Sequence, residues 1–273
     1  MKKLVFTLAT CCIMCACEQK TETNPFFTEF RTEYGAPDFD KIKIEHYEPA
    51  FLKGIEEQNA EIKAIVESRE TPGFENTIVA LDNSGRTLAR VKGVFYALTE
   101  ADTNDEMSAL SEKIAPVLSE HNDNIYLNQD LYKRVAAVWQ QEQEGKITLT
   151  TEQHRLLDRY YKAFIRSGAG LDAGKQNRLR EINKELSTLA ITFSNHILNE
   201  NNAYRLVIDN EAELAGLPEW VKTGAAEEAK DVGKEGKWLF TLQNSSRLPL
   251  LQYADNRELR KDIYEAYINR GNN

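Results

Sequence analysis

The chain has 273 residues, 41% of them hydrophobic and 28% charged, with a formal net charge of −9. That length allows one large domain or two modest ones with real cores, and the composition is that of a globular rather than a disordered protein. The negative balance, with no Arg/Lys run longer than two, disfavours a polyanionic partner, so nucleic acid is excluded.

The opening "MKKLVFTLATCCIMCACEQK" has a basic start, an apolar stretch from Leu4 to Ala16 and a small residue before Cys17. It has the build of a secretory signal and is too short to cross a bilayer as a mature helix. It also resembles a bacterial lipoprotein signal, which implies residues 1–16 as signal peptide, lipidation of Cys17 and residues 17–23 as a spacer. The expected location is then the bacterial cell envelope, with the membrane as a partner through the anchor; the alternative is ordinary cleavage and a soluble periplasmic protein. The other cysteines, Cys11, Cys12 and Cys15, also lie in this segment. Nothing after Cys17 can therefore form a disulfide or a thiolate metal site.

Residues 24–44 read as an irregular lead-in rich in Phe, with Pro25, Gly35 and Pro37 opposing regular structure. From His46 the pattern turns helical. Phe51, Ile55, Ile62, Ile65 and Val66 make one stripe; Phe74, Ile78, Leu81, Leu88, Val91, Val94, Phe95 and Leu98 make the next, with a helix start at Thr71–Pro72. Met107, Leu110, Ile114 and Leu118 share a face that Pro116 should bend or end. Asn128 reads as the cap of a helix carrying Leu131, Val135 and Val138, and "TEQHRLLDRYYKAFIRSG" as another. The longest helix is expected over Asp172–Asn199, with Leu179, Ile182, Leu186, Leu189, Phe193 and Ile197 inward. "AYRLVID" (203–209) and "KWLFTL" (237–242) read as strands, with a helix from Pro218 between them. The fold class is mainly α, with a small attached β-sheet or hairpin. A helical domain spans 24–200, and a strand-helix-strand-helix segment spans 201–273.

No phosphate-binding glycine loop and no G-x-S-x-G elbow occurs. A zinc-peptidase helix uses H-E-x-x-H because residues four apart share a face and both imidazoles can hold one ion. None of His46, His121, His154 and His196 lies four from another. His196 with Glu200 is an i,i+4 pair that reads as two polar side chains side by side on the outside of a helix. His46 and His121 read as solvated or helix-end histidines rather than general bases. The residues show no catalytic centre.

Several collinear stretches carry a resemblance: "FDKIKIEHYEPAF", "FENTIVALDNSGRTLARVKGVFYALTEADTNDE", "NDNIYLNQDLYKRV", "LREINKELSTLAITFSNHIL" and "GKWLFTLQNSSRLPLLQYADNRELRKDIYEAYINRG". From about Asn24 onward the chain resembles the amino-terminal part of the M3 oligopeptidases, the family of thimet oligopeptidase, oligopeptidase A and peptidyl-dipeptidase. "ENTIVAL", "TNDE" and "NDNIYLN" look closest to the peptidyl-dipeptidase (dipeptidyl carboxypeptidase) branch. The resemblance implies a largely helical zinc metallopeptidase with two lobes around a channel, which cleaves short peptides and, in that branch, releases carboxyl-terminal dipeptides. The family's H-E-x-x-H helix and third Glu ligand have no counterpart here. The chain is therefore expected to bind no zinc, to carry no catalytic or metal residues and to be inactive alone, as a fragment or truncated product lacking the carboxyl-terminal catalytic region. Tyr267, Arg270 and Gly271 are expected to pack against, or lead into, absent elements. The family's architecture places a small sheet beside the channel, which makes Trp238, Phe240, Gln243, Asn244 and Arg247 candidates for its wall. The alternative is that Trp238 and Phe240 are core residues and Arg247 a surface charge. A second functional reading is a non-catalytic helical envelope lipoprotein that binds peptides or a protein partner.

Overall fold

A computed structural model describes residues 24–272. The expected signal, Cys17 and the spacer lie outside the described residues. The architecture is 73% helical with one two-stranded antiparallel sheet.

The lead-in forms short 3-10 turns and delivers Phe26, fully buried, into the first core. That core is built between α1 (Tyr47–Glu67), α3 (Arg86–Ala101) and α4 (Asp105–Tyr126). Its centre is a chain of aromatic rings, with centroids 5.2 Å apart for Phe26–Tyr47, 5.1 Å for Tyr47–Phe95 and 5.3 Å for Phe51–Phe95. Buried aromatic pairs in tilted and edge-on geometry add to the area they bury.

The second core uses the other end of α1. Ile62 and Ile65 meet Ile78 and Leu81, the latter in α2 (Ala80–Asp82), Leu131, Val135 and Val138 of α5 (Gln129–Gln143), and Leu157 and Phe164 of α6 (Thr151–Arg166). Polar caps mark the helix starts. Asn104, Asn128, Thr150 and Asp172 each accept a backbone N–H of the first turn.

Three expectations are corrected. The helix placed from Thr71–Pro72 begins instead as a π-helical turn at Phe74–Val79, and it breaks at Asn83–Gly85, where Gly85 takes φ of +71°. Of the two outcomes expected at Pro116, a bend or an end, α4 does not end but runs through to Tyr126. The carboxyl-terminal segment holds two helices after its second strand, α9 (Asn244–Tyr253) and α10 (Arg257–Ile268). Most consequentially, α7 (Ala173–Ala203) buries none of its residues. Leu179 and Ile197 are half-buried, and Ile182, Leu186, Leu189 and Phe193 face outward rather than inward. Its polar side meets α4: Asn183 donates to Asp123 at 2.8 Å, Arg180 to Asn124 at 2.9 Å and Asn195 to Glu112 at 2.8 Å.

His121 also departs from expectation, being buried at 5% exposure. Its Nε2 lies 2.7 Å from Oε1 of Gln58, and since that oxygen only accepts, Nε2 carries the proton. Nδ1 is left buried without a partner. The ring lines a polar cavity of about 190 Å³ with Asp82, Lys92 and Tyr160. Burial, with the nearby Lys92 charge adding to it, holds the imidazole below the usual 6.5. The unfolded chain takes this proton as pH falls through the ordinary histidine value while the folded chain resists it. The contribution is thus complete above that value and is lost below it. Urea unfolding is expected to show a lower midpoint at about pH 5.5 than at about pH 7.5, with a smaller drop in His121→Gln.

Candidate functional site

The sheet and its neighbours form the third core. β1 (Leu206–Ile208) pairs antiparallel with β2 (Trp238–Phe240) in the register Leu206↔Phe240, Val207↔Leu239, Ile208↔Trp238. α8 (Glu219–Asp231), which follows Pro218, packs on β2. Ile208, Leu214, Val221, Phe240, Leu250 and Ile263 are buried together. Among the described residues each strand pairs only with the other; the second edge of β2 is covered, Leu239 and Phe240 being 0% and 1% exposed, whereas Leu206 and Val207 of β1 are half-buried and leave that strand's outer edge the more accessible.

The five candidate wall residues sit differently. Phe240 is buried in the core at 1% exposure, and Trp238 is half-buried. Thr241 turns the chain out of β2, its N–H donating to Oγ of Ser246 at 3.0 Å. Gln243 and Asn244 are exposed at the start of α9. Arg247 is not a surface charge: it is buried at 8% exposure, with Nη2 donating to Asn244 Oδ1 at 2.7 Å and Nε unpartnered. A cleft of about 170 Å³ runs past Phe240, Ser245, Ser246 and Trp220. It takes in only Phe240 of the five candidates. Trp220, 62% exposed, was missed in the sequence, where "LPEW" carries no chemical motif and a tryptophan there reads as core.

The Arg247 guanidinium carbon stands 3.5 Å from the centroid of the Tyr267 ring, and that of Arg270 stands 3.7 Å from it. Two guanidinium planes cannot share one ring face at those distances, so Tyr267 is held between them. Arg270 also donates to Asn201 Oδ1 at 2.7 Å and to Tyr267 O at 2.8 Å, and Gly271 N–H donates to Glu200 at 2.8 Å. Tyr267, Arg270 and Gly271 thus find partners on α9, α10 and the end of α7, within this chain.

No family model matches the chain. It is 39% identical to dipeptidyl carboxypeptidase of Escherichia coli over 90% of its own length and 36% of that protein's. It is 32% identical to oligopeptidase A of Salmonella typhimurium over 91% of its length and 35% of the relative's. It is 26% identical to probable cytosolic oligopeptidase A of Arabidopsis thaliana, covering 93% and 36%. The chain spans about a third of the length of these relatives. It matches one part of an M3 peptidase.

A hydrolytic zinc ion in an M3 peptidase needs several converging donors, three protein ligands in the ordinary catalytic site. Among the described residues no three His, Cys, Asp or Glu side chains come together to hold a metal. On α7, the Glu200 carboxylate accepts from Gly271 while His196 is exposed. His46 Nδ1 accepts from the Lys43 N–H at 3.1 Å, and His154 pairs with Glu142 at 2.8 Å. The described residues do not fit a zinc ion, and no step of metal chemistry is assigned to them.

The tyrosine sandwich has a measurable consequence. Replacing Tyr267 with Leu keeps an apolar side chain but removes the ring that both cations face. The expected loss is about 1–4 kcal/mol in urea unfolding, each of the two partly buried cation–π contacts being worth about 0.5–2 kcal/mol.

Proposed function

We propose that this chain forms a wall and scaffold of a zinc metallopeptidase of the peptidyl-dipeptidase kind, one that trims dipeptides from the carboxyl ends of short peptides. The observation that carries this reading is the 39% identity to dipeptidyl carboxypeptidase across nine-tenths of the chain, against 32% for oligopeptidase A. The zinc-bearing, H-E-x-x-H region would belong to polypeptide outside the part matched here. In this reading the outer edge of β1 at Leu206–Val207 offers main-chain hydrogen bonds to an extended peptide, and the exposed amides of Gln243 and Asn244 offer side-chain ones. Trp238 and Phe240 supply the apolar backing of the wall, and buried Arg247 fixes the start of α9 through Asn244. The test is an assay of the purified chain with zinc and an amino-terminally blocked tripeptide or longer substrate. No hydrolysis above buffer is expected, and chelator-sensitive turnover by this chain alone would place the chemistry here and overturn the reading.

The same proposal places the protein on the outer side of a bacterial membrane through a lipid at Cys17. Among the described residues no helix is long and apolar enough to cross a membrane, so attachment would rest on the lipid. Growth of an expressing bacterium with labelled palmitate should label the chain, and Cys17→Ser should abolish the label. An unlabelled wild-type chain in the periplasmic fraction would replace the anchor with ordinary secretion.

A further inference from the structure

Amphipathic helices normally turn their apolar stripe toward the body of the protein and their polar residues toward water. α7 does the reverse. At 3.6 residues per turn, Ile182, Leu186, Leu189 and Phe193 fall within about 60° of one another around the helix. Arg180, Asn183 and Asn195, which fasten α7 to α4, centre about 150° away on the same wheel. The four apolar residues are 36%, 56%, 54% and 51% exposed. They make a straight stripe about 17 Å long. The stripe is also shaped at one end: a Cβ on Gly271 would come within 2.5 Å of the Phe193 ring, so the turn that follows α10 lies in close contact with it.

A stripe of this length and regularity on the outside of a folded body marks a contact surface. We infer that it is the docking face for the part of an M3 peptidase that this chain does not match, whether carried on the same polypeptide or another. Two observations select that occupant. The relatives devote about two-thirds of their length to polypeptide outside the match, and this large mass has to meet the matched part across some surface. A second copy of this chain is the poorer candidate, since it would bring two bodies of net charge −9 together. The stripe also lies on the side of α7 away from α4, so a partner can seat on it without disturbing the three cores. This docking face rests on the reading of the chain as one part of a peptidase.

The sequence has no cysteine after Cys17, which allows a direct test. In the full chain carrying Cys11, Cys12, Cys15 and Cys17→Ser, Leu189→Cys reports the stripe through its rate of maleimide labelling, and Thr188→Cys, exposed beside it, is the control. The probe is the portion of E. coli dipeptidyl carboxypeptidase that this chain does not match, co-expressed with this chain and used in excess only once circular dichroism and a cooperative melt show it folded. Labelling at position 189 is expected to slow at least tenfold while position 188 changes little. Adding Leu186→Glu and Phe193→Glu should restore the fast rate, with circular dichroism confirming an intact fold. Unchanged labelling at 189 overturns the inference, and so does slowing that the two glutamates leave in place. Protection that rises with the concentration of this chain alone assigns the face to a second copy and overturns the occupant. Peptide hydrolysis by the mixture without protection leaves the proposed function standing and removes this face. Protection without hydrolysis keeps this face and the reading as one part of a peptidase, and overturns the dipeptide-releasing activity.

Discussion

The helical body depends on one close approach of backbones. Where α1 crosses α3, Gly54 faces Leu88, and a Cβ on Gly54 would stand 2.8 Å from the Leu88 Cα and N. Those are main-chain atoms on a packed helix and cannot yield as a flexible side chain would. With the two helices held this near, one end of α1 fills the first core and the other end the second. Gln58 lies between them, its Nε2 donating to Ser84 Oγ at 3.1 Å and its Oε1 accepting from His121. Gly85 completes the arrangement. Its φ of +71° suits glycine, and a Cβ there would come within 2.5 Å of the Gln58 amide.

This explains why the polar cavity beside His121 exists. An amide fastened at both ends separates the two apolar cores, and from it a set of polar side chains runs out to the exposed Asp82 and Lys92 at the surface. Tyr160 donates to Asp82 at 2.8 Å, and burial together with that carboxylate pushes its phenol well up from 10. Arg159 reaches the same carboxylate at 3.1 Å. The carboxyl-terminal unit solves a similar problem differently. It tucks the Arg247 guanidinium against an aromatic face, which is weakly polar and costs less desolvation than a fully apolar pocket. That contact joins α9 to α10, and Arg270 carries the connection on to Asn201 of α7.

Local features were legible in the sequence because their causes are local. Asn128 was read as a cap and accepts from the N–H groups of Asp130 and Leu131. The two strands announced themselves by β-branched and aromatic content, though each proved only three residues long. Failures came where the deciding contact lies far along the chain. His121 sits beside Glu120 and Asn122, which suggest a wet surface, yet its place is set by Gln58, 63 positions away. Arg247 looked solvated among Ser246, Leu248 and Asn244 until α10 folded Tyr267 over it. At the candidate site the sheet was legible, whereas the buried state of Arg247 and the cleft beside Trp220 were not.

The inversion of α7 shows the limit most clearly. Periodicity reports that a helix has an apolar side, and it says nothing about which neighbour takes that side. Here the neighbour is α4, and the hydrogen bonds that fasten the two helices join polar groups. Burial raises the pKa of Asp123, near one end of this interface, while Asn183 and the charge of Arg180 oppose that rise. Such an interface gains little from excluding water, because its groups only exchange hydrogen bonds to water for hydrogen bonds to each other. Its strength lies in direction: each amide–carboxylate or guanidinium–amide pair fixes the rotation of α7 about its own axis. The polar contacts therefore orient the helix and hold the stripe outward, and the larger apolar gain remains available to whatever polypeptide completes the surface.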